Sequence, residues 1–416
     1  MENAKYLRKR LVELLDTTEE ALRDLETSGL LAPFGGPRDS YSPAVLSSYR
    51  RALNVYPKRQ LARRQLFLNF KGGTGKTSLS VSYAHRLAEL GHRVLLVDLD
   101  SQGHASKCVG FEAEECEVTL FDVLVKSRPV REVAVPTILD ELHLLPSNLR
   151  MSTVDLSLMP MTNRERRMQR ALDAVVEDYD FVIMDAPPSF GLLNLNALIA
   201  CHDLIVPVLP DFLSFHGLKL LFETLDDLAE DMDHRLDRIF IAINQYNPTT
   251  TIARTARGAL EQHYPEHILP MVIRQCTKFA QASGEGVPIF LFDPSSKAAE
   301  DIDALIAHTR LEPKVSEAHV DTNTVAQAVG STQSTVDPRP TGAMDTPEAG
   351  ATAAMTASSP PCPAAGTGGT NLGHANPHTE LDSASGQDEA RTDQAARNRT
   401  HSTSQEAVST AKESIS

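Results

Sequence analysis

The residues best suited to chemistry form one short run, Phe70-Lys71-Gly72-Gly73-Thr74-Gly75-Lys76-Thr77. Glycines let consecutive backbone N–H groups turn inward around a phosphate without side-chain clashes, and a helix starting near Lys76 adds the positive end of its dipole. Lys76 is placed to reach β- and γ-phosphates, and the Thr77 hydroxyl to ligate Mg²⁺. The expected nucleotide contacts are Gly72, Gly73, Thr74, Gly75, Lys76, Thr77 and Ser78. Two apolar runs end in carboxylates. Val94-Leu95-Leu96-Val97-Asp98-Leu99-Asp100 delivers two aspartates, spaced so that they share a face. Phe181-Val182-Ile183-Met184-Asp185 delivers one, suited to holding Mg²⁺ through water. A strand-end aspartate in isolation is more often a helix cap; the phosphate loop upstream shifts that balance.

The general phosphate-loop pattern has glycine where Phe70 stands, and this chain carries an additional lysine, Lys71, directly before the double glycine. That deviant form resembles the ParA/MinD group of P-loop ATPases, and the ParA family in particular. The resemblance continues through Asp98–Gly103, Asp185-Ala186-Pro187-Pro188, Gly191–Leu198 and Val206-Pro207-Val208-Leu209-Pro210, spanning about residues 66–305. Ser101 and His104 replace the proline and asparagine usual in the family.

The resemblance implies an ATPase using ATP and Mg²⁺, with Lys71 reaching across a nucleotide-sandwich homodimer to the partner's phosphates. Lys71, Lys76 and Asp100 would then be catalytic, Asp100 acting on the attacking water. Thr77, Asp100 and Asp185 would serve the metal, Asn244 would contact adenine, and Asp98 would support the loop or metal shell. It further implies that the ATP dimer binds DNA nonspecifically and that a cargo-bound partner protein stimulates hydrolysis, so as to segregate or position a plasmid, chromosome or other cargo. Candidate DNA contacts are Arg254, Arg257, Arg274, Lys278 and Lys297; solvated surface cations are the alternative reading.

These residues need a scaffold. Short β-branched or leucine-rich runs alternate with amphipathic stretches from Gln65 to about Leu311, which predicts an α/β fold: a mostly parallel sheet flanked by helices, as in P-loop NTPases. Strands are expected at Leu66–Asn69, Val94–Asp98, Leu142–Pro146, Phe181–Asp185, Leu204–Val208 and Ile239–Asn244, with ligands at their carboxyl ends. Residues 1–64 read as a small helical module. Thr17 with Glu20 fits a capping box, Pro33 to Pro37 a turn or wing, and Ser42-Pro43 a helix start. The module is similar to a MerR-type winged helix-turn-helix; a helical dimerisation or docking unit is the alternative. Arg50, Arg51, Lys58, Arg59, Arg63 and Arg64 form a basic stretch beside it, serving either DNA or linker solubility. Residues 312–416 are rich in Ala, Thr, Ser, Pro and Gly and lack aromatics, a composition expected to stay disordered.

Net charge is −15 but uneven. Residues 1–70 hold 12 Lys/Arg against 8 Asp/Glu, residues 71–313 hold 22 against 35, and residues 314–416 hold 6 against 12. DNA contact must then be a local patch on an acidic body, weak and salt-dependent. The apolar runs are too short for a membrane span and the N-terminus is polar, so a cytoplasmic protein is expected, and the family resemblance implies that its ATP state is nucleoid-associated. The five scattered cysteines read as free thiols, unsuited to a bridging iron–sulfur cluster. A MinD-like membrane-cycling regulator, an ATP-dependent ligase of the same superclass and a sequence-specific transcriptional regulator stay open as alternatives.

Overall fold

A computed structural model describes residues 5–28, 40–113 and 116–310. The expectations for the wing around Pro33–Pro37 and for the 312–416 tail lie outside these residues. An N-terminal ladder pairs β1 (Tyr6–Leu7) antiparallel with β2 (Ser40–Tyr41). The main sheet contains β3 (Arg63–Phe67), β4 (Val94–Asp98), β5 (Val135–Pro136), β6 (Leu142–Leu145), β7 (Phe181–Asp185), β8 (Asp203–Val208), β9 (Arg238–Tyr246) and β10 (Ile268–Arg274). Its order is β10-β9-β8-β3-β7-β4-β6-β5, parallel throughout except where β5 meets β6.

All six expected strands are present, with ends shifted by one to three residues at some of them. The central ones carry apolar side chains on both faces because helices cover both. On one face Leu66, Val97, Met184 and Val206 meet the helices Leu120–Lys126, Arg167–Asp173, Leu192–Ala200 and Leu213–Met232. On the other, Phe67, Leu96 and Ile183 meet the helices Lys76–Glu89 and Lys297–Thr309. Strand β10 was not expected; its Pro270 is tolerated because β10 is an edge.

The N-terminal segment folds as helices Arg8–Leu14, Glu19–Thr27 and Leu46–Leu53. Thr18, not Thr17, caps the second of these by accepting the Ala21 N–H at 3.2 Å. Leu11, Leu22, Leu46 and Tyr49 belong to the same core as the Lys76–Glu89 helix. The seam is also polar: Glu89, fully buried, accepts from Tyr6 Oη at 2.6 Å, Arg10 at 2.9 Å and Arg86 at 3.0 Å. Arg50 donates to the Glu89 carbonyl at 2.6 Å and, with Ser47, engages Glu141. Burial raises the Glu89 carboxyl, but His85, Arg10 and Arg86 outweigh it and hold the group down to about 2.

Candidate nucleotide site

The loop of residues 70–75 leaves the carboxyl end of β3, between β7 and β8, and enters the helix Lys76–Glu89. Gly73 and Gly75 take φ of +74° and +89°, the left-handed region that favours glycine. At Gly75 space adds a second constraint, since a Cβ there would lie 2.3 Å from Asn244 Nδ2. Asn244 is buried beneath the loop; its amide donates to the Thr74 carbonyl at 2.8 Å and its oxygen accepts the Gln245 N–H at 2.8 Å. It therefore buttresses the loop here, and the adenine contact expected of it requires an exchange of those bonds.

Lys76 is nearly buried, with its ammonium 3.2 Å from the Lys71 carbonyl. Burial lowers its pKa and the charges of Asp185 and Asp100 partly offset that shift. The lysine is thus a desolvated cation facing carboxylates, an arrangement that a polyphosphate completes. Thr77 is half-buried at the head of the helix, and Ser78 pairs with the Ser283 hydroxyl at 3.0 Å.

The three strand-end aspartates divide into separate tasks. Asp98 is saturated: one oxygen accepts from the Asp100 N–H, the other from the Ser106 N–H at 2.8 Å and its hydroxyl at 2.7 Å. That makes it a loop anchor, although burial pushes it up to about 6. Asp100 is half-exposed and, among the described residues, its carboxylate accepts only from the Gln102 N–H, at 3.0 Å. Asp185 sits directly opposite Asp98 in the sheet and is wholly buried. Burial and the Asp98 charge push it up to about 7, against the Thr77 and Ser80 hydroxyls. Ser80 donates to Oδ1 at 3.0 Å, whereas Oδ2 is buried without a partner among the described residues.

These groups fit a Mg²⁺–triphosphate. The orphaned Asp185 oxygen, the Thr77 hydroxyl and Asp100 flank the loop. Among the described residues no group of three or more His, Cys, Asp or Glu forms a ready cage. A cation held mainly by phosphate and water needs only such a sparse donor set.

Lys71 is half-exposed and its ammonium pairs with Asp211 Oδ2 at 2.7 Å. Asp211 also accepts the Ser214 N–H and hydroxyl at 2.9 Å, which fixes the start of the helix Leu213–Met232. Sequence reasoning missed Asp211, Ser80 and Ser106; a carboxylate just past a strand's carboxyl end was the available signal for Asp211.

The candidate DNA contacts lie near the β9–β10 edge and most of their charge is spent. Arg274 clamps Asp301 at 2.7 Å and Glu300 at 2.9 Å. Arg257 pairs with Glu261 at 2.7 Å, Lys278 with Asp293 at 3.4 Å, and Arg254 donates to the Pro248 carbonyl at 2.7 Å. Lys297 is exposed.

Comparison with known proteins adds to this geometry. A family model described as an AAA domain matches residues 64–238. The cell division protein PomZ of Myxococcus xanthus is 56% identical over 306 residues, covering 74% of this chain and 93% of that protein. The chromosome partitioning protein ParA of Myxococcus xanthus is 30% identical over 237 residues, 57% of this chain and 84% of its own. Among solved structures, cobyrinic acid a,c-diamide synthase from Mycobacterium smegmatis with bound ATP analog and magnesium superposes with a TM-score of 0.51 at 30% identity, covering 60% of this chain and 96% of that one. By its phosphate loop, its sheet and its near full-length match to PomZ, the chain belongs to the ParA family of P-loop ATPases.

Proposed function

We propose that this protein is an ATP-driven positioning switch. It dimerises on Mg-ATP, binds DNA nonspecifically as a dimer, and is reset when a partner protein stimulates hydrolysis; the similarity to PomZ points to placement of the division site as the process served. The cycle runs in the cytoplasm, with the ATP state on the nucleoid. The observation that carries the reading is the second lysine. Lys71 stands beside the phosphate loop yet points away from it, held by Asp211. It is a spare cation with a half-exposed side chain, available to a second subunit's phosphates once released. A site completed only in the dimer makes hydrolysis a timer on dimerisation. In this reading Lys76, Thr77 and Asp185 hold Mg-ATP, and Asp100, whose carboxylate is the half-exposed one of the three aspartates, positions the attacking water.

The ligase alternative needs a substrate site for a carboxylate beside the nucleotide. The cavity next to Phe70, about 440 Å³, is lined chiefly by Phe70, Met159, Phe190, Leu192 and Leu195, and the arginine in its lining, Arg164, is paired with Glu165 at 2.8 Å, surroundings that disfavour such a substrate. For the N-terminal helices we favour docking over DNA reading. The second helix exposes Glu19, Glu20 and Asp24, and its Arg23 is spent on Glu19 at 3.3 Å, so phosphates would be repelled. No helix among the described residues is long and apolar enough to cross a membrane.

Light scattering with and without ATP tests the reading. Wild type and Asp100→Ala should dimerise with ATP, Asp100→Ala persistently because turnover is lost. Lys76→Ala should lose nucleotide, and Lys71→Ala should bind ATP yet stay monomeric. ATP-dependent dimerisation of Lys71→Ala equal to wild type would remove the trans role of this lysine.

A further inference from the structure

The acidic ATPase body contains an arginine-rich exception, Arg128 and Arg131 together with Arg164, Arg166, Arg167 and Arg170. Two of these are neutralised, Arg131 by Asp178 at 2.6 Å and Arg164 by Glu165 at 2.8 Å, and Arg166 is turned away onto the Met232 carbonyl at 3.1 Å. The other three line a cleft of about 270 Å³ between the helices Leu120–Lys126, Val130–Val133 and Arg167–Asp173. Arg167 is pinned by neutral acceptors, the Leu124 carbonyl and the Ser127 hydroxyl, so its charge stays uncompensated. Arg128 has only a long, exposed pair with Glu132 at 3.8 Å. Arg170 is exposed with no ion pair among the described residues. The lining holds no carboxylate, and its floor is apolar, from Val123, Val130 and Ala171.

We infer that this cleft is a docking site for a short acidic segment of a partner protein, in which carboxylates flank an apolar side chain. Guanidinium groups of fixed geometry match carboxylates bidentately, and an apolar floor suits a side chain rather than a sugar–phosphate edge. A duplex is the poorer occupant. Its broad, rigid backbone cannot enter a cleft of about 270 Å³, and following the rim would set further phosphates against exposed Glu132, two residues past the lining Val130, whereas a short segment can insert one side chain between the arginines.

The cleft also has a route to the nucleotide site. Buried Asn196 accepts the Arg167 and Met168 N–H groups at 3.0 and 3.2 Å and donates to the Leu192 carbonyl at 2.9 Å. It thereby ties the cleft to the helix that follows the Asp185 loop. The inference rests on the partner-coupled reading for its purpose, but its primary readout, binding of the probe, needs neither nucleotide nor DNA.

The test is fluorescence anisotropy of the full chain with a labelled Glu-Leu-Asp-Glu-Leu-Asp probe at low salt, compared with a Lys-Leu-Lys-Lys-Leu-Lys control. Wild type should bind the acidic probe only. The double variant Arg128→Glu with Arg170→Glu should weaken that binding by about tenfold or more at unchanged Tm, because both side chains are solvent-facing. ATP-dependent DNA binding should be unaffected. No binding by wild type, or equal binding by the variant, would overturn the proposal, as would loss of DNA binding in the variant with the probe affinity intact. Failure of the positioning reading would instead show as absent ATP-dependent DNA binding beside an intact probe result.

Discussion

If Asp185 holds Mg²⁺ as proposed, its protonation should govern metal binding. Its carboxyl is pushed up to about 7 by burial and the facing Asp98 charge, and one oxygen has no partner among the described residues. A raised carboxylate holds its proton near neutral pH, and a metal must displace that proton. Mg-nucleotide affinity should therefore rise with pH, by roughly fivefold from pH 6 to 7 and about twofold more by pH 8, and level off above that. Titration of a fluorescent nucleotide in Mg²⁺ at pH 6, 7 and 8 checks this; a flat profile would mean that Asp185 is already ionised or plays no part. At this scale the phosphate loop and the strand ends carrying Asp98 and Asp185 were legible from local spacing, whereas the roles expected of Lys71 and Asp100 came from the resemblance to the ParA family. Asp211 was not legible, because its meeting with Lys71 depends on β8 lying beside β3, 140 positions away in the chain.

The helix Lys76–Glu89 links the nucleotide loop to the N-terminal helices through Glu89 at its last turn. Removing that carboxylate deprives the partly buried Arg10 and Arg86 and the buried Tyr6 hydroxyl of their shared acceptor, but Arg86 keeps Asp303 at 2.6 Å, so the cost falls at the low end of the range for breaking a buried pair, about 3 kcal/mol. Glu89→Ala should lower stability by about that amount in chemical denaturation. Its pH dependence has a defined sign. The folded value of about 2 lies below the ordinary 4.5, so the contribution is full above pH 4.5 and is lost as pH falls toward 2. A Glu89→Ala variant as stable as wild type at pH 7 would show that the seam contributes little. The parallel strands were legible from their apolar runs. Strand β10 was not, because Pro270 reads as a break and Arg274 as a surface cation, whereas the edge position accommodates the proline and Asp301 holds the arginine. Charge reversal at Arg274 would therefore disturb packing, which makes Lys278→Glu the cleaner probe of DNA contact.

At the scale of the whole molecule, the net charge of −15 opposes binding to a polyanion, so attraction must come from a local surface. The β9–β10 edge offers cations largely compensated by neighbouring carboxylates, and one subunit should bind DNA weakly. Two subunits joined by ATP, as proposed, would double the patch, and an interaction dominated by counterion release grows steeply with the number of phosphates contacted. The α/β architecture was legible because strand–helix alternation is a local pattern. The joining of the N-terminal helices to the ATPase core was not, because it is written in buried partners such as Tyr6 and Glu89 that lie far apart in sequence. The measurement that tests the central claim most directly is binding to nonspecific double-stranded DNA with no nucleotide, with ADP and with ATP, across a salt series, for wild type and the single variant Lys278→Glu. The account predicts binding only with ATP, falling steeply with salt and weakened in Lys278→Glu; affinity unchanged by nucleotide would contradict it.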